Sequence, residues 1–239
     1  MEGSHLELTG RLAAITGFIP PGTVIADIGT DHARLPVYVV ERGICHAAVA
    51  TDLNEKPYRS ALQAVQNRGL AGKISVRRGD GLRPLRPGEA EVVVVAGMGG
   101  NTIRQILAGA PEVLARVRRL ILQPMVDGGD LRRWLAENGW RLVDETLVEE
   151  GGHLYVIDVA EPGRETVTDP VLLEIGPRLL EQGHPLLSAY LDKLAAGYHR
   201  VLYALARSRS SEALHRTVEL TVRLKRIKDY LENNRQLPD

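Results

Sequence analysis

Val24-Ile25-Ala26-Asp27-Ile28-Gly29-Thr30-Asp31-His32-Ala33 is the stretch whose reading decides the fold. An apolar run interrupted by one acid and closed by glycine reads as a short buried strand. Gly29 supplies the positive φ of a tight turn and lets a ligand approach the backbone closely. A helix follows from about Ala33, carries Val37, Val39 and Val40, and stops before Gly43. Strand, glycine turn and helix set a ligand at the carboxyl end of the strand in an open α/β sheet.

The turn does not carry the dinucleotide fingerprint G-x-G-x-x-G. Thr30, Asp31, His32, Ala33 and Arg34 follow Gly29 without a second or third glycine, which argues against a nicotinamide oxidoreductase. Asp31 also stands where a pyrophosphate requires bare N–H groups. The turn therefore suits a ligand without phosphate, and a cationic sulfonium such as S-adenosylmethionine tolerates Asp27 and Asp31. The plain alternative is a βα turn whose acids cap the helix.

Outward from this stretch the chain alternates. Residues 6–18 read as a short amphipathic helix, with Leu8, Leu12, Ile15 and Phe18 on one face, ended by Pro20-Pro21-Gly22. Strands are expected at Ala47–Thr51, Lys73–Arg77, Glu91–Ala96 and Leu120–Leu122, and helices at Glu55–Arg68, Asn101–Gly109 and Asp127–Asn138. Trp140–Glu150 and His153–Ala160 read as two strands joined by Gly151-Gly152, a hairpin signal. Alternation predicts a mostly parallel sheet with helices on both faces. A terminal antiparallel hairpin on such a sheet is the layout of class I methyltransferases, here seven-stranded and Rossmann-like. Glu161-Pro162-Gly163 marks a boundary between a domain at 1–163 and a helical domain at 164–239. In the second, Leu187, Leu191, Leu194, Tyr198, Val201 and Leu205 share one stripe, and Ala213, Thr217, Leu220, Leu224, Ile227 and Leu231 another. With the polar turn Arg207–Ser211 between them, they predict an antiparallel coiled-coil hairpin.

The 239 residues balance 30 Lys+Arg against 30 Asp+Glu, so the whole chain shows no bias toward nucleic acid. Between Gly197 and Lys228, however, 8 basic residues face 2 acidic ones. That excess points to a polyanion or to a solvated helix face. Cys45 is the sole cysteine, which fits a reducing, cytoplasmic setting. No apolar run approaches membrane-spanning length. The seven histidines are scattered without metal-ligand spacing, so no metal is expected.

The strand ends line one crevice. Gly29 and Asp31 follow the first strand. Asp52 ends the second, placed either to accept ribose hydroxyls or to cap the next helix. Asp80 and Gly81 follow the third, for an adenine amino group and its ring or for a simple Gly-Asp-Gly turn. Ala96-Gly97-Met98-Gly99-Gly100 lets a planar group lie against backbone, with Met98 on a ring face. Gln123 and Pro124 are expected at the rim, where an amide reads a base edge, and Tyr155 on the last strand as a stacking platform or a core residue.

Asp27-Ile28-Gly29-Thr30-Asp31-His32-Ala33, Gly79-Asp80-Gly81-Leu82, Ala96–Gly100 and Leu120-Ile121-Leu122-Gln123-Pro124 occur in order and at compatible spacing. Together they resemble the bacterial tRNA (adenine-22-N1)-methyltransferase family over roughly residues 6–160, and the helical hairpin is also similar. Two departures are Thr51-Asp52, where related sequences can carry Gly-Glu, and Met125, where an asparagine can occur. The resemblance implies a class I fold, S-adenosylmethionine as donor, S-adenosylhomocysteine as product, and N1 of a tRNA adenine as acceptor. Asp27, Gly29, Asp31, Asp52, Asp80, Gly81, Ala96, Gly97, Met98 and Gly99 are then the cofactor candidates.

N1 carries an in-plane lone pair and needs alignment more than a strong base. It lies on the pairing edge, so the base must be unpaired or flipped. Asp31 is the candidate to stabilise the charge gained or to hold the exocyclic amine, and His32 to relay a proton. Arg200, Arg207, Arg209, Arg216, Arg223, Arg226 and Lys228 on the outer face of the hairpin are the candidates for tRNA phosphates. A monomer is expected, with pairing through the long hairpin left open. A methyltransferase of a small amine or protein, and a non-catalytic RNA-binding module, are the alternatives that the residues leave standing.

Overall fold

The computed structural model describes residues 6–166, 169–208 and 210–235. The chain divides into two compact units, Met1–Thr166 and Val167–Asp239. The first contains α1 (Gly10–Thr16), β1 (Val24–Ile28), α2 (Arg34–Glu41), β2 (Ala47–Asp52), α3 (Glu55–Asn67), β3 (Ile74–Arg78), β4 (Val92–Met98), α4 (Gly100–Ala108), α5 (Pro111–Leu114), β5 (Arg119–Pro124), α6 (Gly128–Glu137), β6 (Trp140–Glu150) and β7 (His153–Pro162). The strands form one sheet in the order β3-β2-β1-β4-β5-β7-β6. The first five are parallel, and β7 runs antiparallel to both β5 and β6. This is the expected class I layout.

The unbroken apolar strands follow from burial on both faces. Along β4, Val93 and Val95 join Ala26, Ile28, Val49, Leu120 and Leu122 in a core with α4 to α6. Val92 and Val94 join Ile25, Ala48, Ala50 and Ile121 in a second core with α1 to α3. The period of two thus survives as a division between two cores rather than between core and water. Gly151 and Gly152 both take positive φ, 59° and 75°, as a two-residue hairpin loop requires.

Two sequence expectations change. The first helix is shorter than 6–18 and begins at Gly10, while Leu6 and Leu8 pack on the core from outside it. Between β3 and β4, where no helix was read, residues 79–91 form successive turns, with Pro84, Pro87 and Gly88 interrupting any helical run. β4 and β5 run two residues further than read, through Met98 and Pro124. Glycine and proline suggest a strand end from sequence, whereas here a β-bulge between Ala96 and Met98 absorbs the irregularity and pairing resumes at Met98 with Pro124.

The second unit holds α7 (Pro170–Ile175), α8 (Pro177–Glu181), α9 (Leu187–Leu205) and α10 (Ser211–Arg235). α9 and α10 pack as the expected hairpin. Leu187, Leu191, Leu224, Ile227 and Leu231 are buried in its seam. Toward the turn the seam thins: Leu194, Tyr198, Leu205, Thr217 and Leu220 are half-buried, and Val201 is exposed.

A buried charge cluster ties α6 to the terminal hairpin. Arg132 Nε lies 2.7 Å from Glu145 Oε1 and 2.8 Å from Asp158 Oδ1, with all three side chains wholly buried. Glu145 and Asp158 face each other across β6 and β7, so two carboxylates share one guanidinium. Removing the cation leaves two buried acids side by side. Arg132→Leu is therefore expected to cost about 3–5 kcal/mol of stability, read as a lowered urea midpoint.

Candidate active site

The crevice opens at the carboxyl ends of β1 and β4, which are neighbours at the point where the strand order reverses. The turn after β1 is tied to β2: Thr51 O accepts from Gly29 N–H at 2.8 Å and from Thr30 N–H at 3.0 Å. Gly29 takes φ 76°, and Asp31 and Ala33 take φ 45° and 52°. Left-handed backbone at two non-glycine residues this close is strained, and such strain gathers at binding sites. A Cβ at Gly29 would meet only the end of the flexible Met98 side chain crossing from β4, so the positive φ is what calls for glycine here. Ala33 is the N-cap of α2 and no side chain caps that helix, so Asp27 and Asp31 do not act as its caps.

Two cavities meet at Gly29 and Ala96. The larger, about 470 Å³, is lined by Gly29, Thr51, Asp52, Leu53, Asp80, Gly81, Ala96, Gly97 and Met98 together with Arg83 and one face of α4, Thr102, Gln105 and Ile106. The smaller, about 260 Å³, is lined by Asp27, Thr30, Asp31, His32, Arg34 and Leu35 together with Arg11 and Leu12 of α1. The sequence reading missed Arg11, Arg83 and the α4 face. The i, i+3, i+4 spacing of Thr102, Gln105 and Ile106 was a visible signal for the last.

Charge in the crevice is arranged rather than merely present. Asp27 is buried, its Oδ2 accepting from Thr30 Oγ1 at 2.6 Å. Burial, against the Thr30 hydrogen bond and with help from the Asp52 charge, pushes its pKa up to about 6. Asp52 is also buried. Its Oδ1 accepts from Asn54 N–H at 2.8 Å, so the carboxylate both steadies the turn into α3 and lines the larger cavity. Asp80 Oδ2 lies 2.7 Å from Arg83 Nη1, an exposed pair on the cavity wall. Asp31 and His32 are well exposed, with His32 Nε2 3.6 Å from Asp31 Oδ1. Gly81 takes φ 56° and lies against Ile106, and Gly97 takes φ 76° with open space where a Cβ would stand. The volume, the two acids and the bare glycine backbone fit an adenosyl group and a cation. Gly99 lies in neither cavity; it is the N-cap of α4.

Several expected contacts are corrected. Gln123 is not at the rim: it is fully buried, its Oε1 accepts from Gly97 N–H at 3.0 Å, and its Nε2 donates to Pro124 O at 3.1 Å. The extension of β5 carries Gln123 and Pro124 inside the sheet edge, where the amide holds the glycine loop in place of a base. Tyr155 is half-buried, with the Arg11 guanidinium 4.9 Å above its ring and His153 at its edge, so a cation already occupies one face. In the helical unit, Arg223 pairs with Glu174 at 3.1 Å and Glu219 at 2.6 Å, and Arg226 pairs with Asp169 at 2.5 Å. These two guanidinia tie α10 to its own unit rather than standing free for phosphates. Arg200, Arg207, Arg216 and Lys228 are exposed, and Arg209 lies outside the described residues. Among the described residues no group of three or more His, Cys, Asp or Glu side chains could hold a metal ion.

A family model for a methyltransferase domain matches residues 8–157. The tRNA (adenine(22)-N(1))-methyltransferase of Bacillus subtilis (strain 168) is 41% identical over 174 residues, covering 72% of this chain and 73% of that protein. The crystal structure of the B. subtilis m1A22 tRNA methyltransferase TrmK superposes with a TM-score of 0.87 at 32% identity, over 95% of this chain and 99% of that one. Streptococcus pneumoniae Sp1610 in complex with S-adenosyl-L-methionine superposes with a TM-score of 0.81 at 34% identity, over 92% and 98% of the two chains. With the class I sheet layout, the strained turn after β1 and the paired cavities, these likenesses make the chain a member of the tRNA (adenine(22)-N1)-methyltransferase family.

Proposed function

We propose that this protein transfers a methyl group from S-adenosylmethionine to N1 of adenine 22 in tRNA. The observation that carries the reading is the pair of cavities that meet at Gly29 and Ala96, in a chain of this family. The larger suits the adenosyl moiety, with Asp52 toward the ribose hydroxyls and Asp80 toward the adenine amine. Asp27 and Asp31 supply negative potential for a sulfonium.

When bound, S-adenosylmethionine supplies an electrophilic methyl carbon, and the C–S electron pair stays on sulfur as the N1 lone pair forms the new bond. Asp31, exposed beside Gly29, offsets the positive charge that N1 acquires, or holds the exocyclic amine that orients the ring. His32 is within reach of Asp31 and of solvent, so a proton shed from the product has a path outward. Gly97 leaves the adenosyl group room against the backbone, and Gln123 holds that backbone still. Arg200, Arg207, Arg216 and Lys228 hold tRNA phosphates, which set position rather than sequence. The protein acts as a monomer, alongside its tRNA in the cytoplasm.

Labelled S-adenosylmethionine with unmodified tRNA transcripts tests the reading, the product being mapped by nuclease digestion and mass spectrometry. A single N1-methyladenosine at position 22 is expected. Transfer only to a small amine or a protein would overturn it.

Three variants probe the site. The fold favours neutral Asp27, so the stability its neutral form lends is complete below about pH 4 and lost as pH rises through about 6. Asp27→Asn is therefore expected to stabilise the ligand-free protein by about 2–3 kcal/mol near pH 8 and hardly at all near pH 4. The same change weakens cofactor binding at the higher pH; urea unfolding and calorimetry read the two effects. Asp31→Asn, which tolerates left-handed backbone, is expected to lower kcat by about 100-fold or more and to weaken binding of S-adenosylmethionine more than that of S-adenosylhomocysteine, whose sulfur carries no charge, as calorimetry with both ligands would read. Reversing Arg200, Arg207 and Arg216 to Glu is expected to weaken tRNA binding and to flatten the slope of log affinity against log salt by about 2–3, followed by fluorescence anisotropy.

A further inference from the structure

Among the described residues of the methyltransferase unit, the exposed large hydrophobic side chains are Leu53, Met125 and Val126, at 59%, 48% and 63% exposure. All three stand at the carboxyl end of the sheet. Leu53 follows β2 and lines the larger cavity. Met125 and Val126 follow β5, on the other side of the glycine loop from Leu53. Apolar side chains scattered singly over a surface need no explanation, but an adjacent pair beside a reaction crevice does.

The pair is held rigidly. Met125 N–H donates to Met98 O at 2.8 Å, and Gly100 N–H donates to Val126 O at 2.8 Å. Asn101 Nδ2 donates to Asp127 Oδ2 at 3.1 Å, and Asp127 takes φ 58° to turn the chain into α6. A Cβ at Gly100 would strike the Asp127 carbonyl, so the close approach depends on glycine. Gln123 completes the clamp from below through Gly97. Met125, Val126 and Asp127, the three residues between β5 and α6, are fastened to the loop that lines the crevice; the Met125 sulfur also accepts from Gln123 Nε2 at 3.6 Å, and the rest of its side chain and Val126 remain exposed.

We propose that Met125 and Val126 act as an apolar wedge that fills the gap left in the RNA stack when the target adenine leaves it. The proposal rests on the tRNA reading above. N1 is on the pairing edge, so the base must leave its stack to reach the methyl carbon. A stack that loses a base either collapses or is held open by an inserted side chain, and apolar wedges serve that purpose in nucleic-acid complexes. Rigid attachment to the glycine loop fixes the distance between the gap and the crevice. Met125 and Val126 are positioning residues; they do not touch the reacting atoms.

The test uses the full-length protein with Met125→Ser and Val126→Ser combined, beside Met125→Leu and Val126→Ile combined. A tRNA transcript carrying 2-aminopurine at the target position reports extrusion as a fluorescence rise on saturation with protein and S-adenosylhomocysteine. The wild type and the Leu/Ile variant are expected to give the rise, and the Ser/Ser variant to bind tRNA without it. Turnover of the Ser/Ser variant is expected to fall about 10-fold or more on native tRNA, and to recover on a transcript whose flanking pairs are mismatched so that the adenine is already unstacked. A full fluorescence rise in the Ser/Ser variant, or an equal loss on both transcripts, would overturn the wedge while leaving the activity in place. A wild type that binds S-adenosylmethionine and methylates neither transcript would overturn the tRNA reading and the wedge with it.

Discussion

Burial of the sheet on both faces is the constraint from which the rest follows. With α1 to α3 on one side and α4 to α6 on the other, the central strands have no face left for water or ligand. Chemistry is confined to their carboxyl ends, and the crevice opens between β1 and β4, where the order reverses. The chain must turn sharply there with strands on both sides. It does so through left-handed backbone at Gly29, Asp31 and Ala33, and again at Gly97 and Asp127. Gly100 yields its Cβ space to the Asp127 carbonyl. The crevice is therefore shaped by close backbone approach as much as by the side chains that line it.

Charge obeys the same economy. A chain with no net charge still places Arg132, Glu145 and Asp158 wholly inside, where each is tolerable only because the others are there. Asp27 is the opposite case, an acid sunk in the crevice with a hydroxyl and no cation as its bonded partner. A fold that keeps such a group is less stable than it could be near neutral pH, which is the expected cost of a site shaped for a cationic ligand. In the helical unit, Arg223 and Arg226 pair with carboxylates on α7, on α10 itself and at the start of α7, so only part of the basic run faces outward.

The glycine loop and the turn after β5 show how site and fold share parts. Gln123 reads from sequence as a polar side chain at a strand end, free to meet a base. In the fold β5 continues past it, and its amide supplies the one acceptor that Gly97 N–H needs away from the ladder. The exposed Met125 and Val126 follow directly. Polar inside and apolar outside is the reverse of the usual order, and it occurs where the protein must hold its own backbone and meet a partner within a few residues.

The seven strands, the longer helices, the glycine turn after Ile28, the terminal hairpin and the coiled-coil stripes were legible along the chain, whereas the short helices α5, α7 and α8 were not. Each legible feature rests on local periodicity or on a residue's intrinsic backbone freedom. The residues that end strands at the crevice were legible for the same reason, because alternating topology leaves them one place to go. Which side chains stay open to a ligand was not. The burial of Gln123, the Arg11 cation over Tyr155, the α4 wall of the cavity, the Arg132 cluster and the ion-paired state of Arg223 and Arg226 all depend on partners distant in sequence or on another element. Periodicity tells which face of an element is covered; only the tertiary structure decides by what, because desolvation and pairing are properties of neighbours in space.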